Sequence, residues 1–271
     1  MPHTHRVRSR KLAVVAASLT CAVVGGLLVS SSANAAPAVE LPPVNASFDY
    51  QIGQAYTPAA GVGVVSRDHT ASPAAGLYNI CYVNAFQAQP GAESQWGDLL
   101  LKDAAGKVVY DPDWDEAFLD IRTADKRRQV AAKVNAWIDT CADKGFDAVE
   151  PDNLDSFTRT NLISESNAKA FVKLLADHAH DKGLAIGQKN TPQLSTSRSA
   201  TGLDFAVAEE CGEWKECGDY TEGFNDHVIV IEYKQKYFDE TCAQWGGRLS
   251  VVLRDVLVTA PGSSGYVRKA C

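Results

Sequence analysis

"GFDAVEPDNLD", residues 145–155, decides how this chain is read. A glycine leads into a short apolar stretch, and four acids, Asp147, Glu150, Asp152 and Asp155, stand in or just beyond it. The stretch reads as a buried strand with a charged end. A buried carboxylate costs several kcal/mol unless it is paired or hydrogen-bonded. The acids are therefore either an ion-pair network or a site that uses the charge.

Working outward, the same form recurs. Apolar runs bounded by turn residues give eight strand candidates, at residues 48–52, 61–68, 76–85, 146–153, 183–190, 203–211, 227–234 and 249–256. Helices separate several of them. From 126 to 144, Val130, Val134, Trp137, Ile138 and Cys141 recur at helical spacing and Gly145 follows as a stop. From 164 to 182, Ala168, Phe171, Leu174, Leu175 and His178 make a second such face, stopped by Gly183. Near-continuous apolar strands separated by helices imply a parallel sheet covered by helices. Eight of them predict an α/β fold of the (β/α)8 TIM-barrel type. An open doubly wound sheet would also gather polar residues at its strand ends, but no Gly-rich phosphate loop accompanies these strands.

The chain's start predicts its compartment. Arg6, Arg8, Arg10 and Lys11 precede an apolar run from Leu12 to Val29, and "SSSANAAPA" then offers an Ala-x-Ala cleavage site after Ala35. We read residues 1–35 as a signal peptide and 36–271 as one secreted barrel domain, a monomer free of membrane after cleavage. Without the four basic residues of that segment, 22 basic residues face 33 acidic ones, a net charge of −11. Such a surface argues against nucleic acid and anionic membrane as partners. Six cysteines remain, an even number that in an exported chain predicts three disulfides. Their spacings match no zinc signature, and His178 and His180 diverge on a helix, so neither metal nor cofactor is expected.

In each late strand the polar residues collect at the C-terminal end: "EPDN", "QKN", "EEC", "EYK" and "RD". In barrels that end carries the active site. Alternation puts Glu150 and Asp152 on one face, and on the sixth strand aims Glu209 inward with Glu210 turned away. Glu232 ends the seventh strand beside Tyr233. Two carboxylates flanking a bond are what glycoside hydrolysis requires. The competing reading pairs these acids with Lys189, Arg122 or Arg254 and leaves no chemistry. It suits Glu150, one layer deeper, while Asp152 and Glu209 suit catalysis at the rim.

"FLDIR" (118–122), "FDAVEPDNLD", "KGLAIGQKN", "LDFAVAEECGEWKEC" and "VIVIEYK" together resemble glycoside hydrolase family 114, the endo-α-1,4-polygalactosaminidases, over residues 76–256. The resemblance implies a barrel that cuts α-1,4-linked galactosamine polymers, with Asp152 and Glu209 at the catalytic positions. "AEEC" stands where the family often has "NEQC", "AFQ" (85–87) where it has "AGS", and the segment after "EPDNLD" differs too. These departures are expected to ring the mouth and to bear on specificity.

The remaining candidates have two readings each. Asn153 and Asn190 hold sugar hydroxyls or simply form turns. Lys189 orients an acid or pairs with it structurally, and Trp214 stacks on a sugar or caps the barrel. Glu232 and Tyr233 are expected at the substrate. Asp120 and Arg122 are expected to pin the long segment from Phe86 to Asp125. Geometry suggests Cys211 with Cys217 closing its own loop, Cys81 with Cys141 between strand and helix, and Cys242 with Cys271 at the tail. The functional expectation is a secreted endo-glycosidase, with Asp152 as nucleophile or base and Glu209 as acid. The alternatives are a barrel that cuts a different polysaccharide and one that binds polymer without cutting it.

Overall fold

The computed structural model describes residues 39–271, so the expected signal peptide at 1–35 lies outside the described residues. Eight parallel strands run in chain order around a barrel: β1 (Phe48–Gln51), β2 (Val64–Asp68), β3 (Tyr78–Asn84), β4 (Ala148–Asp152), β5 (Ala185–Lys189), β6 (Phe205–Glu209), β7 (Val228–Glu232) and β8 (Ser250–Arg254). Each falls within one of the eight stretches expected from the sequence. A ninth strand not foreseen, β9 (Arg268–Ala270), runs antiparallel to β8. It helps to fill the seam between β8 and β1, which share no ladder. There Arg268 donates to the Phe48 carbonyl at 2.9 Å and stands 3.2 Å from the buried Asp49 carboxylate. The Ser250 hydroxyl accepts the Ala46 N–H at 3.0 Å.

Alternation sorts the core into two layers. Phe48, Tyr50, Ile80, Phe205, Val207, Ile229, Ile231 and Val252 fill the barrel. Cys81, Val149, Ile186, Ala206, Val228 and Val230 face outward against the helices. Gly187 makes the interior fit, because a Cβ there would stand 2.8 Å from the Phe205 ring.

Helix α1 (Ala124–Lys144) is capped by the Thr123 side chain and ends at Gly145 with φ 85°. Helix α2 (Glu165–Asp181) opens on a capping box of Ser164 and Asn167. Their buried faces, with Val130, Val134 and Ile138 on one and Phe171, Val172 and Leu175 on the other, cover the sheet. Each fully buried aliphatic or aromatic side chain contributes about 1.5–3 kcal/mol. Shorter helices α3 (Cys217–Phe224) and α4 (Gln235–Trp245) follow β6 and β7. The first two connections hold no helix. Residues 52–63 and 69–77 carry Pro58, Pro73 and scattered glycines without an apolar period, so the helical ring is incomplete.

The disulfides are Cys81–Cys141, Cys211–Cys217 and Cys242–Cys271, as expected. Among the described residues no helix is long and apolar enough to cross a membrane.

Candidate active site

The C-terminal ends of the strands surround a cavity of about 700 Å³. At its floor lies Lys189, the inward residue that ends β5, with a side chain only 1% exposed. Three carboxylates converge on its Nζ: Glu150 at 3.1 Å, Glu209 at 3.4 Å and Asp152 at 3.5 Å. The same nitrogen donates to the Tyr50 hydroxyl at 2.8 Å. Burial opposes the ammonium charge, but Asp152, Glu209 and Glu150 overcome it and hold the Lys189 pKa well above its usual value. Strands β4 and β5 pair only through Ala148 and Val149, and Pro151 has no N–H with which to extend the ladder. The strands are therefore unpaired where the acids stand.

Glu150 is fully buried and both its oxygens are satisfied, one by Tyr50 at 3.0 Å and Lys189, the other by Ser66 at 2.7 Å. Asp152 stands one layer higher, its side chain 19% exposed. Burial would raise its pKa, yet Lys189, the Tyr82 hydroxyl at 2.7 Å, the Asn153 N–H at 2.8 Å and Arg159 hold the carboxyl below the usual range. Glu209, across the floor, accepts from the Asn190 amide at 3.0 Å and from the Tyr233 hydroxyl.

The other expected residues divide. Asn153 and Asn190 both adopt left-handed backbone, with φ of 64° and 50°, and both side chains are engaged. Asn153 bonds Asn84 and Arg159, and the Asn190 side chain donates to the Glu209 carboxylate and accepts the Glu209 backbone N–H. Trp214 lines the cavity and is 65% exposed, so it does not cap the barrel. Asp120 and Arg122 pair with each other at 2.9 Å and lie outside the cavity lining.

Three expectations need correction. Glu232 does not reach the cavity. It shares the outward face of β7 with Val228 and Val230, and its Oε1 accepts the Gly212 N–H at 2.8 Å from behind the barrel wall. Ala208 and Ala85 are fully buried in the outer core layer, so those departures do not ring the mouth, whereas Glu210, expected to turn away, lines it because its left-handed backbone ends the strand alternation. Arg254 pairs with Asp49 and Asp255, away from the floor acids.

Several lining residues lie outside the candidates that the sequence offers. Tyr82 lies in phase with Tyr78 and Ile80 on the inward face of β3, a parity readable from the sequence. Trp114, 55% exposed, and Glu116 come from the excursion between β3 and α1. That excursion is a hairpin in which Gln87–Ala88 pairs antiparallel with Ala117–Phe118. It is tied to the site through Arg159, which bonds Asp111 at 3.2 Å, Asp155 at 2.7 Å and Asn153 at 2.9 Å. Burial, with Asp152 and Asp111 nearby, pushes the Glu116 carboxyl upward against the pull of the Asn84 amide. Seven acids line the cavity against Lys189 and Arg159, which makes it a trap for cations. Among the described residues no group of His, Cys, Asp and Glu is arranged to hold a metal ion.

The family model described as glycoside-hydrolase family GH114 matches residues 29–271. No curated protein matches the sequence significantly. Among solved structures, Ega3 of Aspergillus fumigatus in complex with galactosamine is 21% identical, with a TM-score of 0.69 over 88% of this chain and all of that one. The glycoside hydrolase domain of PelA from Pseudomonas aeruginosa is 15% identical, with a TM-score of 0.53 over 80% of this chain and 97% of that one. At these identities the two likenesses speak to the fold alone.

Proposed function

Since the chain belongs to glycoside-hydrolase family GH114 and is a glycoside hydrolase, we propose that it is an exported enzyme cutting α-1,4-linked galactosamine-containing polysaccharide internally, with Asp152 and Glu209 as its two carboxylates. The observation that carries this reading is the meeting of Asp152 and Glu209 over one buried ammonium at the cavity floor. The acidic lining suits a polymer that bears free amino groups. The galactosamine held by the Aspergillus protein is of that chemistry. The three disulfides suit an oxidising compartment.

Asp152, its carboxyl held below the usual range by Lys189 and its other donors, attacks the anomeric carbon. Glu209 gives its proton to the departing oxygen, then takes one from the water that releases Asp152. Because both oxygens lie within 3.5 Å of Lys189 Nζ, they stand no more than about 7 Å apart, below most of the range of inverting enzymes. That bound admits the separation of about 5–5.5 Å used by retaining enzymes, and with Asp152 as nucleophile the reaction is read as retaining.

The test is mass spectrometry of products from purified protein and α-1,4-galactosaminan at graded acetylation, with chitosan alongside. Short galactosamine oligomers are expected, and Asp152→Asn or Glu209→Gln lowers the rate by about 1,000-fold or more. Polymer retained but never shortened would make the chain a binding barrel, and polymer ignored would point to another sugar. Proton NMR of the first product gives the anomer, and a β-configured product would overturn retention.

A further inference from the structure

Behind the cavity wall, the Glu232 carboxyl is fully buried beneath the segment that bears Trp214. One oxygen accepts the Gly212 N–H at 2.8 Å, with the Thr241 hydroxyl of α4 at 3.5 Å. The other has no partner. The contact is close: a Cβ at Gly212 would stand 2.8 Å from Glu232 Oε1 and 1.8 Å from Thr241 Oγ1. The segment itself is stiff. Cys211–Trp214 forms one helical turn between left-handed residues Glu210 and Lys215, and the Cys211–Cys217 disulfide closes it. Its ends are fixed, because Cys211 and Cys217 are buried in the outer core layer. The polar ties of the turn to the barrel are the Glu210 N–H to the Ile231 carbonyl at 2.7 Å, the pair of Glu213 with Lys234, and the buried bond to Glu232.

We propose that Glu232 is a positioning residue for the mouth: its bond to Gly212 anchors the disulfide-closed loop that carries Trp214, and the anchor loosens when Glu232 takes its charge. The groups that face it favour the neutral acid. Glu210 and Glu213 approach from the loop, Lys234 is engaged by Glu213, α4 offers only the Thr241 hydroxyl, and Leu253 is its neighbour on β8. Burial, reinforced by Glu210 and Glu213, raises the Glu232 pKa to about 7 against the pull of Gly212 and Thr241. Charge strengthens the single bond to Gly212 but leaves the second oxygen without a donor. Opening the turn between the two buried cysteines would admit water to both. By linkage, ionisation then favours the opened turn.

That the loop responds to Glu232 is independent of the proposed function; that Trp214 touches a sugar rests on it. Two readouts keep these apart. In ligand-free protein, hydrogen exchange of residues 211–217, corrected for the intrinsic pH dependence of exchange, is faster at pH 8 than at pH 6. In Glu232→Gln, which carries no charge at either pH, it is equal. Protection that is flat in the unsubstituted protein, or a variant that follows it, overturns the proposal. With cleavable polymer, KM of the unsubstituted enzyme rises about five-fold more between pH 6 and 8 than that of Glu232→Gln, with kcat alike. The difference carries the test, because the amino groups of the polymer titrate in both. Equal KM profiles would sever the loop from substrate binding.

Discussion

Glu150 and Glu232 are both glutamates without solvent exposure, set in neighbouring layers of one barrel. Glu150 faces the axis, where three groups satisfy both its oxygens and Lys189 supplies a cation. Glu232 faces the helices, where one oxygen has a backbone donor, the other has none, and no cation pairs with it among the described residues. The difference is one of parity along a strand. Residues pointing inward join the polar network of the floor, while residues pointing outward meet a layer built for apolar side chains. Burial lifts both carboxyls, but at Glu150 the pull of Lys189 and Ser66 opposes it and ties the acid into a charged centre. Glu232 is held neutral until pH forces it to ionise.

The largest effect comes from breaking the network around Lys189. Lys189→Met strands three carboxylates at the floor, and removing one partner from a buried charge network costs about 3–5 kcal/mol. Urea unfolding should show that loss, together with loss of activity. Adding Glu150→Gln removes the deepest of the stranded charges and should restore part of the stability but none of the activity. Full stability in Lys189→Met would mean that the ammonium does not hold the floor together.

Glu232 predicts the opposite behaviour. Its usual pKa of 4.5 applies in the unfolded chain and about 7 in the folded one. Between these values the folded protein keeps a proton that the unfolded chain has lost, so the contribution of Glu232 falls as pH rises through that window. Glu232→Gln does not titrate. Its stability relative to the unsubstituted protein should therefore improve by about 3 kcal/mol from pH 4.5 to pH 8, read as the difference between paired urea curves. A constant difference would show that Glu232 is already charged when folded.

The two glutamates also mark what a sequence can reveal. All eight barrel strands were legible because apolar runs between turn residues need no tertiary knowledge. The inward aim of Asp152 and Glu209 was legible from alternation. Glu232 was misread because "VIVIEY" is apolar on both faces, so the sequence does not say which parity meets the axis. Its ladder does, since Ile231 pairs with the inward Glu209 and leaves Glu232 outward. Ala208 is different, since the alternation that aims Glu209 inward already turns its neighbour Ala208 outward. Trp114 and Glu116 were out of reach because they ride on a hairpin of two-residue strands, which has no period to detect. The short polar "RKA" of β9 likewise pairs only because the seam beside β8 is open to it.

The smallest effect ties the outward glutamate to the cavity. Trp214 is 65% exposed, so Trp214→Ala should leave stability within about 0.5 kcal/mol of the unsubstituted protein. Loss of one stacking surface, worth about 1 kcal/mol, should raise KM by about five-fold at pH 6. In the Trp214→Ala background, Glu232→Gln should no longer change KM at pH 8, while its gain in stability at that pH persists, because the two consequences of the charge part company at the loop. If Glu232→Gln lowers KM as much without the indole as with it, Glu232 reaches the substrate by a route other than Trp214. Glu210, which shares the loop and lines the cavity, is then the residue to substitute next.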